Sequence, residues 1–153
     1  MSAKKTSVSR PLVYVTRRRA GTVVDPRTVK RRAERLLIAA GRREAELSIV
    51  LGDDAFIREL NRTYRGIDRA TDVLSFAMGE GEAADVAPRM LGDVVISTAT
   101  AARQAEEAGR SPLEQVTILL THGLLHLLGY NHETADEREQ MEKEAIRLTA
   151  ALP

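Results

Sequence analysis

Apolar side chains recur along the chain with two periods, one typical of strands and one typical of helices. Period-2 alternation and β-rich runs predict strands at 11–16, 44–51, 72–78 and 92–97. Helical spacing predicts helices at 25–40, 53–64, 98–108, 112–128 and 135–151. The sequence therefore predicts an α+β fold: a single small domain with a mixed sheet of about four strands packed with about five helices, in the order βαβαββααα.

The predicted helix 112–128 is apolar on nearly every side, which indicates a central position in the domain. Its apolar residues are Val116, Ile118, Leu119, Leu120, Leu124, Leu125, Leu127 and Leu128. Because His122 and His126 lie on the same segment, they are expected on a rigid and buried element, as a precise site requires.

Length and composition predict one domain. A chain of 153 residues with 43% apolar content can bury a core of its own. Residues 1–9 are expected to form a disordered basic tail, 10–153 the folded domain, and 79–89 an exposed loop joining paired strands. Neither a membrane-spanning run nor the apolar part of a signal peptide occurs in the sequence, so a cytoplasmic protein without a membrane partner is expected. The absence of cysteine fits a reducing compartment.

The net charge of +1 conceals a strong asymmetry along the chain. Residues 1–43 contain 13 Lys and Arg against 2 Asp and Glu, whereas the remainder contains 10 against 20. This basic flank is either a solvated face with a tail or a surface that binds a polyanion. With three Tyr and two Phe in the chain, recognition of phosphate and shape is expected rather than base stacking. The candidate RNA contacts in the flank are Arg17, Arg18, Arg19, Arg31, Arg32 and Arg35.

All three histidines fall in the run THGLLHLLGYNHE at 121–133. His122 and His126 are four residues apart, so they project from one face of a helix. Gly129 can take the left-handed conformation that ends the helix. The turn at 130–131 then allows His132 to return to the same point. The spacing HxxxHxxxxxH predicts a shared site for one divalent metal ion, and a histidine-lined cleft without metal is the alternative.

Three imidazoles suit Zn²⁺ best, although nickel, copper or iron would also bind them. Three nitrogen ligands leave the fourth tetrahedral position for water, which is typical of a catalytic site. A structural zinc site needs a fourth protein ligand. The nearest candidates are Glu133 and Asp136, and Asp136 suits the first turn of the next helix.

The histidine spacing also matches the zinc-peptidase pattern HExxHxxGxxH at every position but one. A metzincin needs a glutamate as general base directly after the first histidine, and Gly123 occupies that position. A zinc peptidase that lacks its glutamate base therefore remains an alternative that the sequence disfavours.

Because it contains the motif HGLLHLLGYNH, the chain resembles the YbeY family of bacterial single-strand endoribonucleases and ribosomal RNA maturation factors. The family signature is HGxLHLxGYDH, and Asn131 replaces its aspartate. The block LNRTYRGIDRATDVLSF at 60–76 is similar to the family's LNxxYRGxDxPTDVLSF, with Ala70 where proline is usual. LGDVVIS at 91–97 is similar to LGDIVIS, whereas the residues before Leu51 carry little family signal.

The resemblance implies a metal-dependent, single-strand-specific endoribonuclease that matures the 3′ end of small-subunit ribosomal RNA and serves ribosome quality control. It implies that His122, His126 and His132 are metal ligands, His122 also being counted as catalytic. Arg65, from the YRG motif, is implied to be the essential catalytic or RNA-contacting residue. The implied partners are RNA, in particular ribosomal RNA or the small ribosomal subunit, together with ribosomal protein or assembly GTPase contacts.

Residue chemistry agrees with that implication. A zinc ion held by three imidazoles lowers the pKa of its water far below that of bulk water, to about 7. The Arg65 guanidinium could hold the scissile phosphate through two parallel hydrogen bonds and stabilise its growing charge. A ribosome-assembly factor without catalytic activity, in which the metal only fastens the fold, is the remaining alternative.

Four further residues have candidate roles that compete with structural ones. Thr71 and Ser75 could line the RNA groove, although Thr71 could equally cap a turn. Asp93 could accept a hydrogen bond from a histidine that binds the metal, or it could stabilise the turn at the start of a strand. Asn131 keeps the hydrogen-bond acceptor of the family's aspartate and loses its charge.

Overall fold

A computed structural model describes residues 9–19, 21, 23–78 and 89–153 of the chain. The predicted order βαβαββααα and the α+β class are confirmed. The strands are β1 (Leu12–Arg18), β2 (Glu46–Gly52), β3 (Val73–Ala77) and β4 (Met90–Ser97). The helices are α1 (Pro26–Ala39), α2 (Asp54–Arg65), α3 (Thr98–Ala108), α4 (Pro112–Leu127) and α5 (Ala135–Thr149). Most of the predicted tail 1–9 and of the predicted loop 79–89 lies outside the described residues.

The four strands form one mixed sheet with the order β1-β2-β4-β3. Strands β1, β2 and β4 are parallel, and β3 pairs with β4 in the antiparallel direction. Strand β1 runs two residues further than the sequence predicted. Arg17 and Arg18 pair with Leu51 and Gly52 of β2, because ladder hydrogen bonds hold the backbone extended although the side chains are charged. Strand β3 is left at one edge of the sheet and β1 at the other.

Helix α4 is central, as its apolar sequence predicted. It contacts α1, α3 and α5 as well as strands β3 and β4. Its buried apolar residues, among them Leu120, Leu124 and Leu125, pack with the inward side chains of β2 and α1 in one core. Helix α2 covers the other face near β3, where Tyr64 contacts Phe76 edge to face. The histidine-bearing helix is therefore fixed on several sides.

The ends of α4 and α5 position the segment that carries the last histidine. Helix α5 begins at a capping box in which Thr134 and Glu137 exchange hydrogen bonds. Gly129 follows α4 with φ 98°, a left-handed conformation that glycine adopts without steric cost. The chain therefore reverses between the helices over a short turn. None of the helices in the described part of the chain combines the length and apolar composition that crossing a bilayer requires.

Candidate active site

A cavity of about 790 Å³ opens at the β3 edge of the sheet, between that strand and helices α4 and α5. It collects residues from the segments 60–76 and 121–133, and none from 91–97 or from the basic flank. Its lining residues are Arg65, Thr71, Asp72, Val73, Leu74, Ser75, Ala77, Leu119, His122, His126, Leu127, Asn131, His132, Arg138, Met141 and Glu142. All three histidines and Arg65 therefore face one space.

The imidazole of His126 is oriented by the turn that follows α4. Its Nδ1 lies 3.1 Å from the carbonyl oxygen of Tyr130. A carbonyl can only accept, so Nδ1 carries the proton and Nε2 keeps its lone pair. A backbone acceptor on one ring nitrogen is the arrangement that usually prepares the other nitrogen for a metal. The ring of His132 lies edge to face with that of His126, with their centroids 4.9 Å apart.

The two helix histidines favour the neutral form. Burial lowers the pKa of His122, an effect that the negative charge of Asp72 partly opposes. Burial also lowers the pKa of His126, and the neighbouring His132 lowers it further. A lowered pKa favours the neutral imidazole, which is the form that binds a metal.

The donor set fits a divalent transition metal, whereas the side-chain positions are not yet closed around one. Among residues 9–19, 21, 23–78 and 89–153, no three His, Asp or Glu side chains surround a common point closely enough to hold an ion. Glu133 and Asp136 do not line the cavity, so a fourth ligand is not supplied from that turn.

Arg65 lies at the rim of the cavity as the last residue of α2, one residue beyond the helix predicted at 53–64. Its Nη2 donates to the carbonyl oxygen of Ser75 over 2.7 Å, and its guanidinium lies 4.9 Å from the centre of the Phe76 ring. Asp68 does not pair with Arg65, because it accepts from Arg58 Nε over 2.9 Å. The guanidinium is thus held against the edge strand with donors left for a ligand.

Thr71 and Ser75 both line the cavity, and Ser75 also ties two elements together. The Oγ of Ser75 donates to the carbonyl oxygen of Gly123 over 2.9 Å, so it links β3 to α4. Thr71 Oγ1 lies 3.5 Å from a carboxylate oxygen of Asp72, a long contact. The structural and the RNA-lining interpretations of Ser75 are therefore compatible.

A chain of side-chain hydrogen bonds fixes Asp72 at the cavity wall. One oxygen of Asp72 accepts from the Val73 amide over 2.8 Å and the other from Gln104 Nε2 over 3.2 Å. Gln104 accepts from Gln115 over 2.9 Å, and Gln115 accepts from Arg110 over 3.1 Å. The hydrogen bonds run from the Arg110 guanidinium through two side-chain amides to Asp72, so they fix the position of this carboxyl group at the cavity wall.

Gly123 faces the sheet rather than the cavity. A Cβ atom at this position would lie 2.6 Å from Val94 Cγ1 and 3.1 Å from Ser75 Oγ. Glycine therefore allows α4 to pack directly on β3 and β4. A glutamate could not be accommodated here, which removes the position where a metzincin carries its general base.

Replacing Gly123 by alanine is expected to lower stability by about 1–3 kcal/mol, the usual cost of adding a methyl group to a closely packed core. Denaturant unfolding should show the loss as a lower midpoint at an unchanged slope. Gly109→Ala provides a control without a packing clash, since no atom lies within 4 Å of a Cβ there. Any loss of stability in that variant comes from the backbone, because φ is +68°. Stability of the Gly123 variant equal to wild type would show that α4 can move away from the sheet at no cost.

Asn131 and Asp93, the two residues proposed from the sequence to support the histidines, lie in different places. Asn131 lines the histidine cavity and is exposed. Asp93 does not reach it, since it borders a separate cavity with Tyr64 and Phe76 on the α2 side of the sheet. The physical reason is strand alternation: Val94 faces α4, so its neighbour Asp93 faces away. The structure therefore does not bring Asp93 together with the histidines.

The structure divides the basic flank into separate parts. Arg17, Arg18 and Arg19 are exposed at the carboxyl end of β1, across the sheet from the histidines. Arg32 is half-buried and donates to Thr117 Oγ1 over 3.0 Å, so it joins α1 to α4. The exposed residues Arg31 and Arg35 line another cavity beside α1. None of these arginines lines the histidine cavity.

Two charged residues of the cavity were missed by the sequence reasoning. Arg138 and Glu142 of α5 line it, and Arg138 Nη1 lies 3.5 Å from the carbonyl oxygen of His132. A signal was present in the sequence. The two residues lie three before and one after the buried Met141, which places both beside the inward stripe of α5.

Fold and cavity together define a small α+β protein whose histidine-lined site lies beside an arginine at a sheet edge. A family model described as Endoribonuclease YbeY matches residues 16–152. The Endoribonuclease YbeY of Geobacter sulfurreducens is 47% identical over 133 residues, covering 87% of this chain and 89% of that protein. That of Aquifex aeolicus is 46% identical over 144 residues, covering 94% of this chain and 91% of that protein. The chain belongs to the YbeY family.

A solved structure shows the same fold. The solution structure of TM1509 from Thermotoga maritima matches with a TM-score of 0.59 and 23% identity. The match covers 91% of this chain and 90% of that chain. The α+β class predicted from the periodicity is thereby found in an independent protein as well.

Proposed function

We propose that the protein is a metal-dependent, single-strand-specific endoribonuclease. The observation that carries the proposal is the convergence of three histidines and Arg65 on one cavity, in a chain whose relatives are named endoribonucleases. The proposed substrate is ribosomal RNA of the small subunit. The proposed roles are maturation of its 3′ end and ribosome quality control, in the cytoplasm and in contact with ribosomal proteins or an assembly GTPase.

The proposed ligands of the ion are His122, His126 and His132, and Zn²⁺ suits their neutral nitrogens best. When bound, a divalent ion supplies Lewis-acid chemistry, since it makes water a nucleophile at neutral pH and polarises a phosphoryl oxygen. The Tyr130 carbonyl keeps the His126 ring in the required tautomer. The Asp72 carboxylate acts on His122 through its charge and favours a cation on that side of the cavity.

Arg65 is proposed to hold the phosphate that is cleaved. The Ser75 carbonyl and the Phe76 ring fix the guanidinium at the rim, so its remaining N–H groups are oriented before RNA arrives. Two parallel hydrogen bonds to a phosphate would position it and stabilise the charge that develops on its oxygens. Thr71 and Ser75 complete the wall along which the strand would lie.

Assays before and after chelation test the proposal. We expect cleavage of a single-stranded RNA, little cleavage of the same sequence in a duplex, no cleavage after a chelator, and recovery when Zn²⁺ is restored. An unstructured peptide, offered in parallel, should stay intact because the glutamate of the peptidase pattern is absent. Metal content of one ion per chain without any RNA cleavage would instead support the assembly factor with a structural metal.

The arginines at the end of β1 are expected to contribute to RNA binding. Changing Arg17, Arg18 and Arg19 to alanine should weaken binding roughly uniformly across sequences, because phosphate contacts carry no sequence information. The logarithmic salt dependence should fall by about 0.7 for each lost contact on single strands. Fluorescence anisotropy at several salt concentrations measures both effects, and an unchanged slope would identify these residues as a solvated face.

A further inference from the structure

We propose that a second cavity, at the β1 edge of the sheet, binds the phosphate backbone of the RNA away from the cleaved bond. This arginine cavity is defined by Arg10, Arg31, Arg35 and Arg43, which line a space of about 650 Å³ beside α1. The inference rests on the proposed function, because it requires an RNA substrate.

The four guanidiniums come together from different parts of the chain. Arg10 precedes β1, Arg31 and Arg35 lie one turn apart on α1, and Arg43 follows the turn after that helix. Glu34 contributes the one carboxylate of the lining, so four positive charges face a single negative one. The concave surface therefore concentrates positive potential, which attracts anions.

These arginines form no ion pair within the described part of the chain, unlike several other exposed arginines. Arg27 pairs with Asp25, Arg58 with Asp68 and Arg103 with Asp54. None of the six ion pairs found there involves an arginine of the cavity. The one side-chain hydrogen bond among them runs from Arg31 Nη2 to Thr28 Oγ1 over 3.4 Å. Most of their donors remain available to a ligand.

The chemistry of the lining favours a nucleic acid backbone over bases or a small anion. Guanidinium groups match phosphate oxygens with paired hydrogen bonds, and four of them can contact successive phosphates. The remaining lining is small or aliphatic, with Pro11, Ile38, Ala39 and Ala151, and none of the described lining residues has an aromatic ring for base stacking. Binding through phosphates would be independent of sequence.

The location sets a length requirement. The arginine cavity lies at the β1 edge and the histidine cavity at the β3 edge of the four-stranded sheet. Neighbouring strands are about 4.8 Å apart, so the two edges are separated by at least about 14 Å. An unpaired strand can extend well beyond the roughly 3.4 Å per nucleotide of a duplex strand, so a strand that occupies both cavities needs at least about three nucleotides. Very short RNAs can fill the histidine cavity alone.

The test compares Arg35→Gln/Arg43→Gln with a control of equal charge loss, Arg27→Gln/Arg58→Gln, whose arginines are exposed and ion-paired. Binding of single-stranded RNAs of about two and about twenty nucleotides is measured by anisotropy over a range of salt, in the cold before cleavage proceeds. For the long RNA, the cavity variant should lower the logarithmic salt slope by about 1.4, which is roughly 25-fold in affinity at 0.1 M salt relative to 1 M. The control should change it far less, and the short RNA should bind all forms alike.

Cleavage assays of the same RNAs separate this inference from the proposed function. The arginine cavity is supported if the wild type cleaves both RNAs and the cavity variant is slower only on the long RNA. Both proteins are compared at limiting RNA concentration. Equal salt slopes in the cavity variant and the control would overturn it while leaving the nuclease activity standing. Reduced binding of polyglutamate with unchanged RNA binding would also overturn it, in favour of an acidic protein segment. Failure of the wild type to bind or cleave any RNA would refute the proposed function itself.

Discussion

Replacing His126 by alanine is expected to abolish both metal binding and RNA cleavage. The proposed site has three protein ligands, and two imidazoles with water hold zinc far more weakly than three do. Elemental analysis of protein purified without an affinity tag should give about one ion per chain for the wild type and none for the variant after dialysis. Cleavage by the variant should fall to the background of the assay.

Two controls distinguish loss of the ion from loss of the fold. Without metal, the variant should be only about 1 kcal/mol less stable than wild type, the value of the lost hydrogen bond from Nδ1 to Tyr130. Glu133→Gln, next to His132 but outside the cavity lining, should keep full metal content and activity. Loss of metal from the Glu133 variant would indicate a fourth protein ligand and a structural site. Full metal content in the His126 variant would contradict the three-histidine site.

The order of elements could be predicted because each helix and strand is determined by residues that are close together in the sequence. Helix α3, predicted at 98–108, has those bounds in the structure, since Ser97 caps its start and Gly109 ends it. Helix α5 begins at residue 135 as predicted, and the structure shows Thr134 and Glu137 forming the capping box at its start. The central position of α4 followed from its apolar surface, because a helix that is apolar on nearly every side must be surrounded by other elements.

Contacts between distant elements could not be predicted from local patterns. Arg32 was grouped with its charged neighbours, but packing turns it inward to Thr117, which is 85 positions away in sequence. Asp93 was a candidate either for a bond to a ligand histidine or for turn chemistry, and its position on β4 places it on the face away from the histidines. Arg138 and Glu142 join the site only because α5 folds back across the end of α4. Each of these outcomes depends on the arrangement of strands and helices around the sheet.

The same limitation applies to the histidines. The sequence predicted that all three point to one place, and the structure places them on one cavity, two of them with rings 4.9 Å apart. It does not close the three around one point. Spacing on a helix fixes which face a side chain leaves from, whereas the final rotation of each ring is set by what it binds.

Replacing Arg65 by alanine is expected to slow RNA cleavage by roughly two to three orders of magnitude, the scale of losing one group that stabilises charge in the transition state. Metal content should stay at the wild-type value, since the guanidinium bonds to the Ser75 carbonyl and lies over Phe76 without contacting a histidine. Both contacts are at an exposed residue, so their loss should cost about 1 kcal/mol, or a fall of about 2–4 °C in melting temperature.

Two further variants of α2 show whether Arg65 acts through paired hydrogen bonds from its guanidinium group or only through its charge. Arg65→Lys keeps a cation over the Phe76 ring but cannot form two parallel hydrogen bonds to a phosphate, so it should recover little activity. Arg58→Ala removes an exposed arginine of the same helix that is paired with Asp68, and it should cleave RNA at close to the wild-type rate. Single-turnover rates at saturating RNA, with metal content confirmed for each protein, measure the chemical step directly. A wild-type rate for Arg65→Ala under these conditions would exclude Arg65 from the reaction and leave it a structural role at the β3 edge, whereas recovery by lysine would show that a point charge is sufficient.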